Sequence, residues 1–239
     1  MLKIAALILL ASQLIRADET ITPAFKVGEK LHYGISWFIF SAGKASLSVE
    51  EMIIMNGQNC YRLSGRAQST ILFFFSVDDR IESVVSESAL LPFRYEKHLR
   101  EGKYKKDQVV EFDPVKGTAR YGDQEAIVAL GSRDLLGAFY YFRSLNLPAA
   151  GQSATLLVHT DKKNYELIVE VLGKETIKVP AGKFSTIHIK PKLKFEGLWR
   201  QDGDIDIWLT DDDAHIPVKI KSKVKIIGSI NLELAKKEP

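Results

Sequence analysis

Cysteine is almost absent from this chain of 239 residues, which contains only Cys60. One thiol cannot form an internal disulfide, so the fold must be stabilised by packing. Cys60 is therefore interpreted as a small buried hydrophobic residue. Because it lies far from the start of the chain, we expect no cysteine there to which a lipid anchor could be attached.

The apolar run near the start of the chain, residues 4–11, is too short to span a membrane. It has about eight residues, whereas a membrane-spanning helix needs about 20. Together with Lys3 it is typical of a secretory signal peptide, so we predict cleavage after Ala17, with Ala11 as a weaker alternative. An uncleaved anchor or a buried helix is the other interpretation, which polar residues 12, 13 and 16 disfavour.

Removal of residues 1–17 would leave residues 18–239 as a soluble periplasmic domain without a transmembrane segment. Lys3 and Arg16 would be lost, so 33 − 2 = 31 basic residues would remain beside 30 acidic ones. A nearly neutral chain does not predict nucleic acid as a partner. We expect a monomer.

One cluster of basic residues departs from this balance between basic and acidic residues. Its members are Lys97, Arg100, Lys103, Lys105 and Lys106. Acidic residues at positions 96, 101 and 107 are interleaved with them, as on a solvated β-hairpin. We favour that interpretation over a patch for an anionic surface.

Catalytic, cofactor and metal motifs are also missing. There is no Gly-x-Ser-x-Gly elbow, phosphate loop or dinucleotide fingerprint. The five histidines stand singly, which argues against zinc. Asp204 and Asp206 precede three further aspartates, but Ile207 stands where a calcium loop needs glycine, so a solvated turn is favoured. We therefore expect a non-catalytic protein without metal or cofactor.

Alternating apolar and polar residues dominate what is present. In residues 204–221, Ile207 and Leu209 alternate with polar neighbours, aspartates turn the chain, and Ile216 and Val218 resume the pattern. A period of two is typical of antiparallel strands that are wet on one face. Similar segments recur from Lys30 to Leu234, and Asn56-Gly57 predicts a tight hairpin turn.

One segment, Ser132–Leu145, has helical spacing instead. Ser132 or Asp134 can cap its start, and Leu135, Phe139 and Phe142 recur on one face. The sequence thus predicts an all-β, mainly antiparallel fold. It consists of a single large curled sheet, a barrel or half-barrel, with one short helix inserted near the middle.

Apolar residues exceed what one face of such a sheet requires. Residues 71–75 are apolar on both faces of an extended chain, and Trp37 raises the same question. Coverage by the helix and loops is one explanation. The other is a cavity for a lipid-like ligand, which we predict is lined by Trp37, Phe73, Phe74, Phe75, Leu135, Phe139 and Phe142.

Several short motifs together resemble one bacterial family. They are Val27–Tyr33, Ala42-Gly43, Asp79, Ser83, Leu91-Pro92, Tyr95, Asp134–Arg143, Pro180–Thr186, Ile207–Asp211, Ile216–Val218 and Gly228–Leu232. This combination is similar to the exported family catalogued as domain of unknown function 3108. The resemblance implies a Gram-negative envelope protein of mostly β fold, and it supplies no reaction, cofactor or catalytic residue.

The motif residues have structural interpretations. Gly28, Gly43 and Gly182 suit turns or bulges, and Pro217 suits a strand entrance. Trp208 is expected to be a large buried anchor. Asp134 and Arg143 lie nine residues apart on the helix, too far to pair. We expect Asp134 to cap the helix and Arg143 to reach a carboxylate such as Asp79.

These observations leave three classes of function. The first is a carrier or binding protein for an apolar, lipid-like envelope molecule. The alternative is a structural or partner-binding envelope protein without a small ligand, and a hydrolase is a distant third. A carrier needs a continuous apolar pocket, whereas a scaffold needs a flat apolar patch.

Overall fold

A computed structural model describes residues 13–14, 21–71, 75–195, 198–200, 204–224 and 228–239. About 70% of the chain is strand, and one short helix interrupts it. The predicted all-β class with one inserted helix is confirmed. Most of the expected signal peptide lies outside the described residues.

The structure contains sixteen described strands and one described helix. They are β1 (Gln13–Leu14), β2 (Lys30–Trp37), β3 (Phe40–Met55), β4 (Gln58–Ile71), β5 (Phe75–Ser86), β6 (Pro92–Glu101), β7 (Tyr104–Asp113), β8 (Thr118–Tyr121), β9 (Gln124–Ile127), α1 (Leu135–Arg143), β10 (Ser153–Thr160), β11 (Lys163–Val179), β12 (Gly182–Phe195), β13 (Leu198–Arg200), β14 (Asp204–Thr210), β15 (Pro217–Val224) and β16 (Gly228–Glu238).

All strands belong to one sheet. Fourteen of them form an antiparallel series in the order β10-β11-β12-β14-β15-β16-β2-β3-β4-β5-β6-β7-β8-β9. β13 pairs only with β12, and β1 adds a short parallel pairing to β10. The sheet is not closed, so the half-barrel form of the prediction is the correct one.

The residues of the hairpin turns set the register between neighbouring strands. Asn56 and Gly57 both have positive φ, 51° and 75°, and join β3 to β4 as the sequence predicts. Gly43 is needed for a different reason, because a Cβ there would lie 2.0 Å from the carbonyl oxygen of Gln68. The backbones of β3 and β4 therefore approach too closely for any side chain at this position.

The sheet curls so strongly that the two halves of its strand series contact each other. Lys97 on β6 donates to Asp161, in the turn between β10 and β11, at 2.9 Å. The backbone N–H of Ala129 likewise donates to the side chain of Asn164 on β11 at 3.1 Å. The concave face of the curled sheet holds the main hydrophobic core, to which β3–β8, β10–β12, β14 and α1 contribute.

The helix is shorter than predicted and begins at Asp134, one of the two caps that the sequence suggested. Asp134 is the N-cap, and its Oδ1 accepts from the backbone N–H groups of Leu136 and Gly137, both at 2.9 Å. The suggested cap at Ser132 is wrong because Asp134 already satisfies those donors. The buried face is also rotated: Leu136 and Tyr140 are buried, whereas Leu135 is 38% exposed.

The antiparallel order gives the sheet two distinct ends. One end, here called the helix end, carries the turns at residues 56–57, 180–181 and 211–216 and lies beside α1. The other, here called the open end, carries the turns at residues 38–39 and 102–103.

Candidate functional site

A buried ion pair fixes the carboxyl-terminal end of α1. Both terminal nitrogens of Arg143 donate to the carboxylate of Glu29, at 2.9 and 3.2 Å, and both residues are almost fully buried. Arg143 also donates to the carbonyl oxygen of Ala214 at 3.2 Å. The predicted partner Asp79 is wrong: its carboxylate accepts from the backbone N–H of Arg100 at 2.8 Å.

The amino-terminal end of the helix is held by a second buried carboxylate. Besides capping the helix, Asp134 accepts a hydrogen bond from the hydroxyl of Ser83 at 2.6 Å. Burial raises the pKa of Asp134 to about 6, although its hydrogen bonds act in the opposite direction. The carboxyl is only 1% exposed, so it serves the helix and not a solvent-borne substrate.

Arg133, just before the cap, is also buried. Its guanidinium carbon lies 3.3 Å from the ring centroid of Tyr141, and its nitrogens donate to the carbonyl oxygens of Gly131 and Ala89. Burial lowers the pKa of Arg133 to about 10. The polar groups around α1 thus tie the helix to the sheet.

The predicted ligand-binding residues fall into two separate groups. Phe142 is buried in the core and Phe139 packs against it, whereas Leu135 is partly exposed. Trp37 ends β2 and Phe75 begins β5, both at the open end. The structure therefore does not place the helix residues beside Trp37 and Phe75. Phe73 and Phe74 lie outside the described residues.

A smaller cluster of apolar side chains, here called the trough, lies on the concave face at the open end. Ile35 and Ala42 are buried there, and half-buried apolar residues pack around them, namely Trp37, Ala45, Ala67, Ile230 and Leu232. The helix contacts β4, β5 and β10, near the opposite end. β3 and β4 contribute alanines to the floor of the trough, and these small side chains leave space above the sheet.

The wall of the trough on the β5 side is polar. Asp79 pairs with Ala67 across β4 and β5. Burial and the nearby charge of Asp79 raise the pKa of Glu101 on β6. Two carboxyl groups therefore border an otherwise apolar surface. This arrangement can hold an apolar chain and accept hydrogen bonds at one side.

Sequence reasoning missed most of the trough. Its residues come from β16, β2, β3 and β4, and the neighbouring position of β16 and β2 has no local sequence signal. The alternation of Ala42, Ala45 and Ala67 with polar residues was a usable sign, because small residues on an inward face leave space. Trp37 was the one member recognised.

A depression of about 310 Å³ also lies on the opposite, outer face of the sheet. Ile53, Met55 and Val84 form its apolar part. The surrounding charges already pair with neighbours, as Arg94 does with Glu96 at 2.6 Å. Its chemistry does not point to a ligand.

The family described as "Protein of unknown function (DUF3108)" matches residues 31–235, which is most of the chain. The chain belongs to the DUF3108 family. No curated protein matches it.

Among solved structures, this DUF3108 chain is similar to a β-barrel-like protein of domain of unknown function DUF1849 from Brucella abortus. The TM-score is 0.57 at 9% identity, over 92% of this chain and 98% of that one. The likeness supports the curled-sheet fold.

Two further structures are more distant. A Bacteroides fragilis protein described as exported, with a YmcC-like fold, has a TM-score of 0.40 at 10% identity over 92% of this chain and 100% of that one. A Parabacteroides distasonis protein described as a lipoprotein has a TM-score of 0.39 at 11% identity, over the same shares. Within the described residues of the DUF3108 chain, no helix is long and apolar enough to cross a membrane.

The glycines and proline noted in the sequence lie at turns, bulges and strand starts. Gly28 and Gly182 have positive φ, 93° and 142°. Gly182 begins β12, and Pro217 begins β15 beside a register shift. At the aspartate turn, Asp212 accepts from the hydroxyl of Thr210 at 2.6 Å and from the backbone N–H of Ala214.

Trp208 differs from its predicted role as a buried anchor. It is half-buried, because it alternates with the inward-facing Ile207 and therefore lies on the outer face. Its ring stacks on His188 with 4.4 Å between centroids, and Nε1 donates to Glu175 at 2.7 Å. Trp208 thus links β11, β12 and β14, and part of its ring packs against the buried cluster that contains Val179 and Ile216.

Replacing Trp208 with alanine is expected to lower the free energy of unfolding by about 1–2 kcal/mol, less than the 3–5 kcal/mol typical of a core tryptophan. Trp208→Phe keeps the stack on His188 and should cost less than about 1 kcal/mol. Urea unfolding measures both. A loss of about 3 kcal/mol or more in Trp208→Ala would contradict an outer-face position.

Proposed function

We propose that this DUF3108 protein is a non-catalytic envelope protein that binds an apolar chain of a lipid-like molecule in the trough. The observation that carries the proposal is the half-buried apolar surface around Ile35 and Ala42, which the helix leaves uncovered. Unpartnered apolar surface in a concavity is the usual form of a site for an apolar ligand.

The free energy expected from burial of an acyl chain in the trough is sufficient for binding. An acyl chain that buries about 400 Å² of apolar surface at about 25 cal/mol per Å² gains roughly 10 kcal/mol. Ordering of the chain and loss of its freedom offset part of this gain. Affinity in the micromolar range, which corresponds to about 8 kcal/mol, is the expected result.

The polar interior supports a binding role over catalysis. Asp134, Arg143 and Glu29 are buried and engaged in holding the helix. The carboxyl groups of Asp79 and Glu101 border the trough and suit the polar part of an amphiphile. Export to the periplasm follows from the predicted signal at residues 1–17, and N-terminal sequencing of envelope-fraction protein tests it.

The binding proposal is tested with a fluorescent fatty-acyl probe. Ala67→Trp fills the trough floor and is expected to weaken probe binding at least about tenfold, because the bulky ring occupies the space of the chain. Ile54→Trp places the same side chain at the helix end, on a residue that is 77% exposed and far from the trough, and should leave binding unchanged.

Circular dichroism and urea unfolding must show that both variants are folded. Native mass spectrometry of protein purified from its own envelope then identifies any retained lipid. Absence of retained lipid, together with no probe binding at tens of micromolar, would replace this proposal by the partner-binding scaffold.

A further inference from the structure

The turn between β2 and β3 presents three large apolar side chains to solvent. Phe38, Ile39 and Phe40 are 57%, 89% and 62% exposed. The turn is anchored, since the backbone N–H of Phe38 donates to the carbonyl oxygen of Ser229 at 3.3 Å. The Phe38 ring also packs so tightly on Gly228 that a Cβ there would lie 2.7 Å from it. These side chains are thus held outward by the fold.

Neighbouring hairpins extend this surface along the open end. Phe75 at the start of β5 is 36% exposed and lies against Gly102 in the β6–β7 turn. Tyr104, just after that turn, is 52% exposed. We call the set Phe38, Ile39, Phe40, Phe75 and Tyr104 the apolar rim.

Several lysines near the apolar rim have no carboxylate partner in the part of the chain that the structure describes. Within the basic cluster of the β6–β7 hairpin, Arg100 pairs with Asp107, and Lys97 and Lys106 both pair with Asp161. Lys103 and Lys105 are left exposed, with no ion pair to any described residue. The same holds for two further lysines near the rim, Lys44 on β3 and Lys223 on β15.

Among the described residues, most acidic side chains near the open end are paired or border the trough. Asp78 pairs with Arg66 and Asp204 with Lys190, both at 3.4 Å. Asp79 borders the trough. Asp123, in the turn between β8 and β9, lies beyond the rim towards the edge of the sheet.

The helix end is more evenly charged. Its turns carry Glu87, Asp113, Asp211, Asp212 and Asp213, but Asp113 pairs with Lys116 and Asp211 with Lys174, and Lys178 and Lys183 are exposed there. The open end differs because its exposed lysines lie near large exposed apolar side chains. A negatively charged plane would attract the open end, where insertion of those side chains adds to the attraction of the lysines.

We propose that the apolar rim docks on the surface of an anionic lipid bilayer, with Phe38, Ile39 and Phe40 inserted among the headgroups. Aromatic rings favour the membrane–water interface. Lysines near an anionic surface add to such insertion. We assign a bilayer to this surface because the apolar rim consists of exposed side chains from separate hairpin tips. Such tips can insert side by side into a fluid lipid layer. This role goes beyond acyl-chain binding in the trough and does not depend on it.

The test is flotation of the purified protein with vesicles. Vesicles of phosphatidylcholine alone are compared with vesicles that contain about one-quarter phosphatidylglycerol. We expect binding to the anionic vesicles, weakened by salt, and little binding to the neutral ones. Ile39→Asp should reduce the partition coefficient at least about tenfold, and Lys105→Ala roughly fivefold.

Matched controls lie at the helix end. Ile54→Asp changes another exposed isoleucine, 77% exposed against 89% for Ile39, and Lys178→Ala removes an exposed lysine that has no carboxylate partner among the described residues. Both should bind vesicles like the unchanged protein. Failure of the unchanged protein to float with anionic vesicles in low salt would overturn the proposal. Equal losses in the controls and in Ile39→Asp, or equal binding to both kinds of vesicle, would also overturn it.

The two proposals can fail separately. Lys105→Ala should weaken vesicle binding while the acyl probe binds normally, because Lys105 lies outside the trough. Ala67→Trp should do the reverse. A protein that binds the probe but ignores vesicles refutes bilayer docking alone.

Discussion

Replacement of Arg143 with methionine is expected to lower the free energy of unfolding by about 3–5 kcal/mol. The substitution leaves the buried carboxylate of Glu29 without its two hydrogen bonds, and an uncompensated buried charge is strongly destabilising. Lys237 is a poor substitute, since its Nζ lies 4.0 Å from Glu29 and is partly exposed. Urea unfolding at neutral pH measures the loss.

The double variant Arg143→Met with Glu29→Leu separates charge from packing. It removes both buried charges and should recover much of the lost stability, because a buried ion pair is often no better than apolar residues of similar size. If the double variant is as unstable as Arg143→Met alone, the loss arises from the missing contact with Ala214 or from packing.

Replacement of Asp134 with asparagine is expected to change how stability depends on pH. The pKa of Asp134 is raised to about 6 in the folded protein, above its value of about 3.9 in an unfolded chain. The folded state therefore binds the extra proton more tightly. The stabilisation from this carboxyl is fully present below about pH 4 and is lost as pH rises through 6, by up to about 3 kcal/mol.

Asparagine keeps the cap, because its side-chain oxygen can still accept from Leu136 and Gly137. The variant should therefore be as stable as the unchanged protein at pH 7, or more stable. The difference between the two unfolding free energies should change by about 2 kcal/mol between pH 4 and pH 7. Parallel stability curves across this range would show that Asp134 does not titrate there.

The local parts of this fold are the ones that its sequence predicted. Asn56-Gly57 and the strands around residues 211–216 are hairpins whose signals lie within a few residues of each other. The helix was also predicted, but its boundaries and inward face were not. Ser132 and Asp134 can both cap its start. The sequence alone also does not show that the tyrosines of the helix are buried more deeply than Phe139.

Long-range features could not be predicted in the same way. Glu29 and Arg143 are 114 residues apart, and Asp79 was an equally reasonable carboxylate until the sheet order was known. The charge of the β6–β7 hairpin was interpreted as a solvated face, which holds for Arg100. Lys103 and Lys105 remain without a described carboxylate partner. Asp161, which comes from another hairpin, pairs with Lys97 and Lys106 instead.

The pairing of β16 with β2 has a consequence for how the chain folds. Hairpins can form the series β2–β9 and most of β10–β16 from neighbouring segments, whereas Glu238 pairs with Lys30 from the far side of the sequence. Closing so long a loop carries a large entropic cost and slows folding. As the polypeptide emerges amino terminus first, β2 keeps an unpaired edge until the last strand arrives. During that interval the free edge of β2 can pair with a strand of another chain, which leads to aggregation. Chaperones commonly suppress such pairing.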